Sequence, residues 1–254
     1  MKNERNTRIY NTIINVDSNS IHDFWEKQAE ETISLKSVLL GGEFEETSRI
    51  LRNDLEKTIV KNLLQNARST RSSQMTILDI GCGIGRWAYN LKSIYSVYHG
   101  IDFSEEFVEL ATLNFADEKN VNFFTMSVFD MDYKKLLKSY DILIITGVAM
   151  YINDCDIKSL FDCCNKLTKS SSNIYFQESV SILPYRLTLK DFYSNELRSK
   201  YNAIYRTRQE YEDFFSKYLS SFEFNKEESD LLLDKNTGAR EETNARYWFL
   251  RKIS

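Results

Sequence analysis

A single proline and only eight glycines in 254 residues leave no material for long Pro- or Gly-rich linkers. The chain has no internal repeat, which excludes solenoids and propellers. Histidine is scarce, with two residues, and the four cysteines, Cys82, Cys155, Cys163 and Cys164, form neither a CxxC pair nor the Cys/His spacing of a zinc site. We therefore expect no metal and no disulfide, with the adjacent Cys163 and Cys164 as packing residues on a helix. Long apolar runs are also missing. The N-terminal MKNERNTRIYNTIINVDSNS lacks the apolar stretch of a signal peptide, and no later segment has the length to cross a bilayer. The expectation is a cytoplasmic protein with no membrane partner. Nor is there a basic excess: the formal charge is −4, which disfavours nucleic acid as a partner.

What is present suits one globular unit. Apolar residues make up 42% and charged residues 28%, enough to bury a substantial core. Two helical stretches come first, SIHDFWEKQAEETISLK and SRILRNDLEKTIVKNLLQNA, the second with Ile50, Leu51, Leu55, Ile59 and Leu63 at helical spacing. They define an N-terminal helical cover over residues 1–70, and the core follows over 71–254. From residue 76 strands alternate with helices. TILDI, VYHGID, VNFFTM, YDILIIT and NIYFQESV are the strands; RWAYNLKSIY, SEEFVELATLNF and DIKSLFDCCNKLTK are the helices, with Ser104 and Asp154 as caps. Nearly continuous apolar strands in this rhythm predict a doubly wound parallel α/β sheet. A helical insertion over residues 181–206 interrupts it, before a helix opens on the capping box Thr207–Glu210. FEFNKEES and ARYWFLRK close the chain as a hairpin with a turn at Asn236–Gly238, making seven strands with an antiparallel end.

Three glycines cluster at 81, 83 and 85, between the first core strand and its helix, and Asp102 ends the next strand. A glycine run in that setting lets backbone approach a nucleotide-like ligand, and an acid at the neighbouring strand end can accept hydrogen bonds from ribose hydroxyls. A nicotinamide fingerprint would need a further glycine at position 86, where the chain has Arg86. A nicotinamide-dependent oxidoreductase is accordingly the alternative reading.

DIGCGIGRW followed by GIDFS resembles motifs I and II of the class I S-adenosylmethionine-dependent methyltransferases, whose Rossmann-like order of elements residues 76–180 match. The resemblance implies S-adenosyl-L-methionine as cofactor. It sets Gly81, Gly83 and Gly85 against the methionine and ribose, Asp79 beside the amino-acid end, Asp102 on the ribose and Phe103 on the adenine. Where many members carry an acid that receives the adenine amino group, this chain has Ser127; either Asp130 substitutes, or Ser127 and the backbone near Val128 suffice. The implied acceptor is a small molecule such as a sugar, a surface-polysaccharide substituent, a phosphorylated metabolite or a natural product. It would be methylated on oxygen or nitrogen.

In-line methyl transfer needs alignment and exclusion of water, and a base where the acceptor must lose a proton. His22, on the N-terminal cover, is a candidate base, whereas His99 lies inside a strand. Tyr151, after the fourth strand, orients or deprotonates an acceptor, or forms an aromatic wall. The insertion carries Arg186, Tyr201, Tyr205 and Arg206, forked donors and phenols suited to an anionic group. Glu178 ends the fifth strand as an acid, a cation ligand or a cap. Residues 20–36 and 181–206 are expected to act as lids. Outside enzymes, the sequence also fits a partner subunit that binds the cofactor without catalysis.

Overall fold

The computed structural model describes residues 7–31, 46–68, 74–194, 199–225, 230, 232–233 and 240–253. In chain order its elements are β1 (Arg8–Tyr10), α1 (Ser18–Glu31), α2 (Glu46–Arg68), β2 (Met75–Ile80), α3 (Arg86–Asn90), β3 (Tyr95–Asp102), α4 (Glu105–Asn114), β4 (Val121–Thr125) and β5 (Tyr140–Thr146). They continue with α5 (Ile157–Lys166), β6 (Thr168–Ser181), β7 (Leu187–Ser194), β8 (Ser199–Tyr205), α6 (Arg208–Tyr218), β9 (Phe222–Phe224) and β10 (Thr243–Lys252).

Seven strands form one sheet in the order β4-β3-β2-β5-β6-β10-β9. The first five run parallel, and β10 returns antiparallel between β6 and β9. The central strands are apolar on both faces because helices cover both. Leu78, Leu143 and Ile145 pack with Leu160 and Phe161 of α5 on one side, and Ile77, Ile142 and Ile144 pack with Val60 and Leu64 of α2 on the other. Cys163 and Cys164 are buried in the first of these layers. The chain steps outward from β2 through β3 to β4, then crosses back to β5 and β6. The reversal leaves a crevice at the carboxyl ends of β2 and β5, where open sheets of this kind bind ligands.

Local signals act as the sequence implies at several ends. The Ser104 hydroxyl accepts the Phe107 amide at 3.2 Å, and Thr207 and Glu210 form the reciprocal capping box. Other expectations need correction. The helix opening at Arg86 stops at Asn90, because Leu91 and Ile94 turn inward and Tyr95 enters β3 with its hydroxyl on the Ala88 carbonyl. Asp154 does not cap α5; it is held in an ion-pair cluster by Arg186 and Arg206.

The largest correction concerns the insertion, which is a β-hairpin rather than helical. β7 and β8 pair antiparallel, Leu187 opposite Tyr205 and Leu189 opposite Ala203, and β1 adds a third strand. Leu187, Leu189, Tyr201, Ala203 and Tyr205 pack against Phe24 of α1 and Met150, so burial of one sheet face decides the structure. A register shift between Leu189 and Phe192 is absorbed at Asp191, whose amide is capped by Asn202. Of the predicted terminal hairpin, β9 covers only Phe222–Phe224, and the expected turn at Asn236–Gly238 lies outside the described residues.

Candidate active site

The glycine loop follows β2. Gly81, Gly83 and Gly85 all have φ between 50° and 81°, the left-handed region that L side chains avoid. Gly81 has a further reason to lack a side chain: a Cβ there would lie 2.4 Å from Val148 Cγ2. The loop is held from β3 by Asp102, whose Oδ2 accepts the Gly83 amide at 2.9 Å and whose Oδ1 accepts the Ser104 amide at 3.1 Å. Burial raises the Asp102 pKa, against the lowering effect of these amides.

Asp79 lies fully buried beneath the loop. Its Oδ2 accepts the Tyr98 hydroxyl, while Oδ1 has no hydrogen-bond partner. Burial raises its pKa to about 7, with Tyr98 and Arg86 opposing. An orphaned carboxylate oxygen under a loop too tight for a Cβ fits a ligand that brings an ammonium group and close backbone contact, as the amino-acid end of S-adenosylmethionine would.

A cavity of about 480 Å³ opens beside this loop. Of the residues implied by the cofactor resemblance, Gly81, Gly83, Asp102, Phe103 and Val128 line it, as does Ser127. Asp79, Gly85 and Asp130 do not. Asp79 sits below; Gly85 is backed by Phe115 and Phe123; exposed Asp130 turns back to pair with Ser127. Asp130 is thus no wall of the cavity, whereas Ser127 and Val128 are.

The far side is aromatic. Tyr151, Tyr201 and Tyr205 line it, and the Tyr151 and Tyr201 hydroxyls are 2.8 Å apart. Trp25 of α1 meets Tyr151 edge-on at 5.4 Å. Burial drives the phenol pKa values of all three tyrosines upward. His22 also lines the cavity, stacked on Phe103 with ring centroids 5.3 Å apart and within 3.7 Å of Glu26.

Arg186 and Arg206 correct the expectation that they face an acceptor, for neither lines this cavity; Glu178 does not line it either and, of its three expected roles, takes that of a cap on the loop after β5. Arg206 is fully buried, donating to Asp154 and to the carbonyls of Ala149 at 2.8 Å and Ile152 at 2.6 Å. Arg186 bridges Asp154 and Glu210 at 2.8 and 2.6 Å. Burial acts to raise the Asp154 pKa, but Arg206 and Arg186 outweigh it and hold the carboxyl below its ordinary range. Glu178 accepts the amides of Val148, Ala149 and Met150 at 2.8, 2.7 and 3.3 Å, with its pKa raised to about 7 chiefly by burial. The loop carrying Tyr151 is thereby clamped, its amides by a buried acid and its carbonyls by a buried guanidinium.

Some cavity residues were not singled out from sequence: Trp25, Arg52, Phe107, Phe192 and Arg240. For Arg52 a signal existed. It stands four residues before Glu56, a fully buried acid in an otherwise apolar helix face, which Arg52 and Arg86 hold at 2.8 and 2.7 Å. Arg240 had none, since its segment reads as a turn. Among the described residues no cluster of three or more His, Cys, Asp or Glu side chains is arranged to hold a metal, and no helix is long and apolar enough to cross a membrane.

Comparison with known proteins agrees with this geometry. Residues 77–171 match the family model described as a methyltransferase domain. A malonyl-[acyl-carrier protein] O-methyltransferase of Bacillus anthracis is 28% identical over 114 residues, 42% of this chain and 41% of that protein. Phosphoethanolamine N-methyltransferase 3 of Arabidopsis thaliana is 25% identical over 185 residues, 70% of this chain and 36% of that protein. The chain thus spans about two fifths or less of the length of these curated relatives. Among solved structures, an S-adenosylmethionine-dependent methyltransferase of Leishmania major superposes with a TM-score of 0.66 at 19% identity, covering 92% of this chain and 82% of that one. The nicotinamide alternative is overturned by the family match, and in the structure Arg86, where that fingerprint needs glycine, is tied to buried Glu56. Residues 77–171 thus carry a methyltransferase domain, and the fold around it is that of solved S-adenosylmethionine-dependent methyltransferases.

Proposed function

We propose that this protein transfers the methyl group of S-adenosylmethionine to an oxygen or nitrogen of a small acceptor seated between the glycine loop and the aromatic cap. The observation that carries the reading is the single cavity whose wall runs from Gly81 and Asp102 to Tyr151, Tyr201 and Tyr205. When bound, the cofactor supplies an electrophilic methyl group on a sulfonium. Gly81 and Gly83 admit it closely, Asp102 accepts its ribose hydroxyls, Asp79 attracts its ammonium group, and Phe103 with His22 stacked on it walls the adenine. The stack supports a role for His22 in the cofactor wall rather than in proton transfer. Tyr151 orients the acceptor, and the clamp of Glu178 and Arg206 holds it in place. The chain's contribution is alignment and exclusion of water, which suffices for an in-line displacement.

In this reading α1 and the β7–β8 hairpin are lids, since both meet over the cavity through Phe24, Trp25, Tyr151 and Tyr201. The names of the curated relatives, one acting on a malonyl-carrier substrate and others on phosphoethanolamine, support an acceptor with an anionic group. Formation of S-adenosylhomocysteine across a panel of phosphorylated metabolites, nucleotide sugars and carboxylates is the test. Turnover with one class supports the reading. Cofactor binding with no turnover on any acceptor would favour the non-catalytic partner subunit.

A further inference from the structure

The arginines expected to meet an anionic acceptor are already neutralised, so the charge of the cavity must be read from its own wall. Among the described residues, three charged side chains line it: Asp102, Arg52 and Arg240. Asp102 is engaged by the glycine loop, and Arg52 is paired with Glu56. Arg240 differs. It is exposed, and among the described residues no carboxylate pairs with it, whereas Arg8, Arg52, Arg86, Arg186, Arg206 and Arg208 each hold one.

Arg240 shares the cavity wall with three phenols, Tyr151, Tyr201 and Tyr205, of which Tyr151 and Tyr201 are hydrogen-bonded at 2.8 Å. With Tyr151 donating to Tyr201, the hydroxyl protons of Tyr201 and Tyr205 and the N–H groups of a guanidinium with no carboxylate partner are left to donate, and their common complement is an oxyanion.

We propose that Arg240, together with the hydroxyls of Tyr205 and Tyr201, binds the phosphate or carboxylate group of the methyl acceptor. The inference rests on the methyl-transfer reading for the identity of the ligand, but the anion site itself does not need the cofactor. Its fork presents two parallel donors to an oxyanion, a geometry lysine cannot reproduce. The acceptor's reacting atom would then lie toward Tyr151.

The test follows the Arg240 Nε–H resonance during titration with inorganic phosphate and, separately, with acetate, at constant ionic strength set by chloride. It is run with and without S-adenosylhomocysteine. A saturable shift is expected with at least one anion. Phosphate alone assigns a phosphomonoester class, and acetate as well extends it to carboxylates. Arg240→Lys, read through the resonances of Tyr201 and Tyr205, should weaken binding about tenfold or more. Tyr205→Phe should weaken it severalfold, and both variants should keep wild-type affinity for S-adenosylhomocysteine, which also shows that they fold. No saturable shift with either anion, or equal affinity in Arg240→Lys, overturns the proposal. If the anion binds but S-adenosylhomocysteine does not, the methyl-transfer reading fails and the anion site stands.

Discussion

The two walls of the cavity are built on different principles. The side at the glycine loop is made by backbone: three left-handed glycines, amides tied to Asp102, and an acid below with one oxygen unpaired. The facing side is made by aromatic side chains, and they are carried by a hairpin and a loop fixed by buried charges. Backbone recognition needs particular residues at particular spacings. Side-chain recognition needs only a rigid support, so many sequences can provide it.

That contrast is tested most strongly by removing the supports. Each side rests on a buried ionic cluster, Glu56 with Arg52 and Arg86 near the glycine loop, and Asp154 with Arg186 and Arg206 under the hairpin. Glu56→Ala removes the acid that Arg52 and Arg86 share, Asp154→Ala takes the carboxylate from fully buried Arg206 while Arg186 keeps Glu210, and each should cost about 3–5 kcal/mol in denaturant unfolding. If the sides are independent, Asp154→Ala in its folded fraction will keep affinity for S-adenosylhomocysteine.

The pH response should divide similarly. Although burial opposes it, Arg86 and Arg52 lower the Glu56 pKa from 4.5 to about 2. A depressed folded pKa means that this stabilisation, on the order of 3 kcal/mol, is present above about pH 4.5 and lost as pH falls toward 2. Glu178 has the opposite sign, its pKa raised from 4.5 to about 7 chiefly by burial. Its contribution is full below about 4.5 and lost as pH rises to 7. Thermal melts from pH 3 to 8 should show Glu56→Gln flattening the acid limb and Glu178→Gln flattening the fall between about 4.5 and 7. Unchanged slopes in both would refute the assignment.

Smaller effects sharpen the picture at single contacts. Asp102→Ala removes a carboxylate that can bind ribose hydroxyls, and S-adenosylhomocysteine should bind about 1.5–3 kcal/mol more weakly, read by calorimetry. Tyr151→Phe removes only the hydroxyl contact to Tyr201, about 0.5–1.5 kcal/mol in stability. It should lower acceptor turnover while leaving cofactor affinity alone.

How much could be read from sequence follows the same division. The sheet order was legible because β2, β3 and β5 are apolar on both faces, and the glycines with Asp102 were legible because backbone geometry restricts what can stand there. The hairpin was not, since the stretch LTLKDFYS has too short an alternation to overrule a helical reading until Leu187 and Leu189 are seen against Phe24. Arg186 and Arg206 misled for a related reason. An arginine among tyrosines reads alike whether it meets a ligand or a buried acid, and Asp154 lies 32 and 52 residues away from them. Arg240 follows Asn236–Gly238, which reads as a turn in the sequence, and nothing local marks a pocket wall.

The most direct test of the central claim is calorimetric titration of the protein with S-adenosylhomocysteine, with NAD as the control ligand. The account predicts saturable one-to-one binding of S-adenosylhomocysteine, weakened by Asp102→Ala, and none of NAD. Binding of NAD without S-adenosylhomocysteine would contradict it.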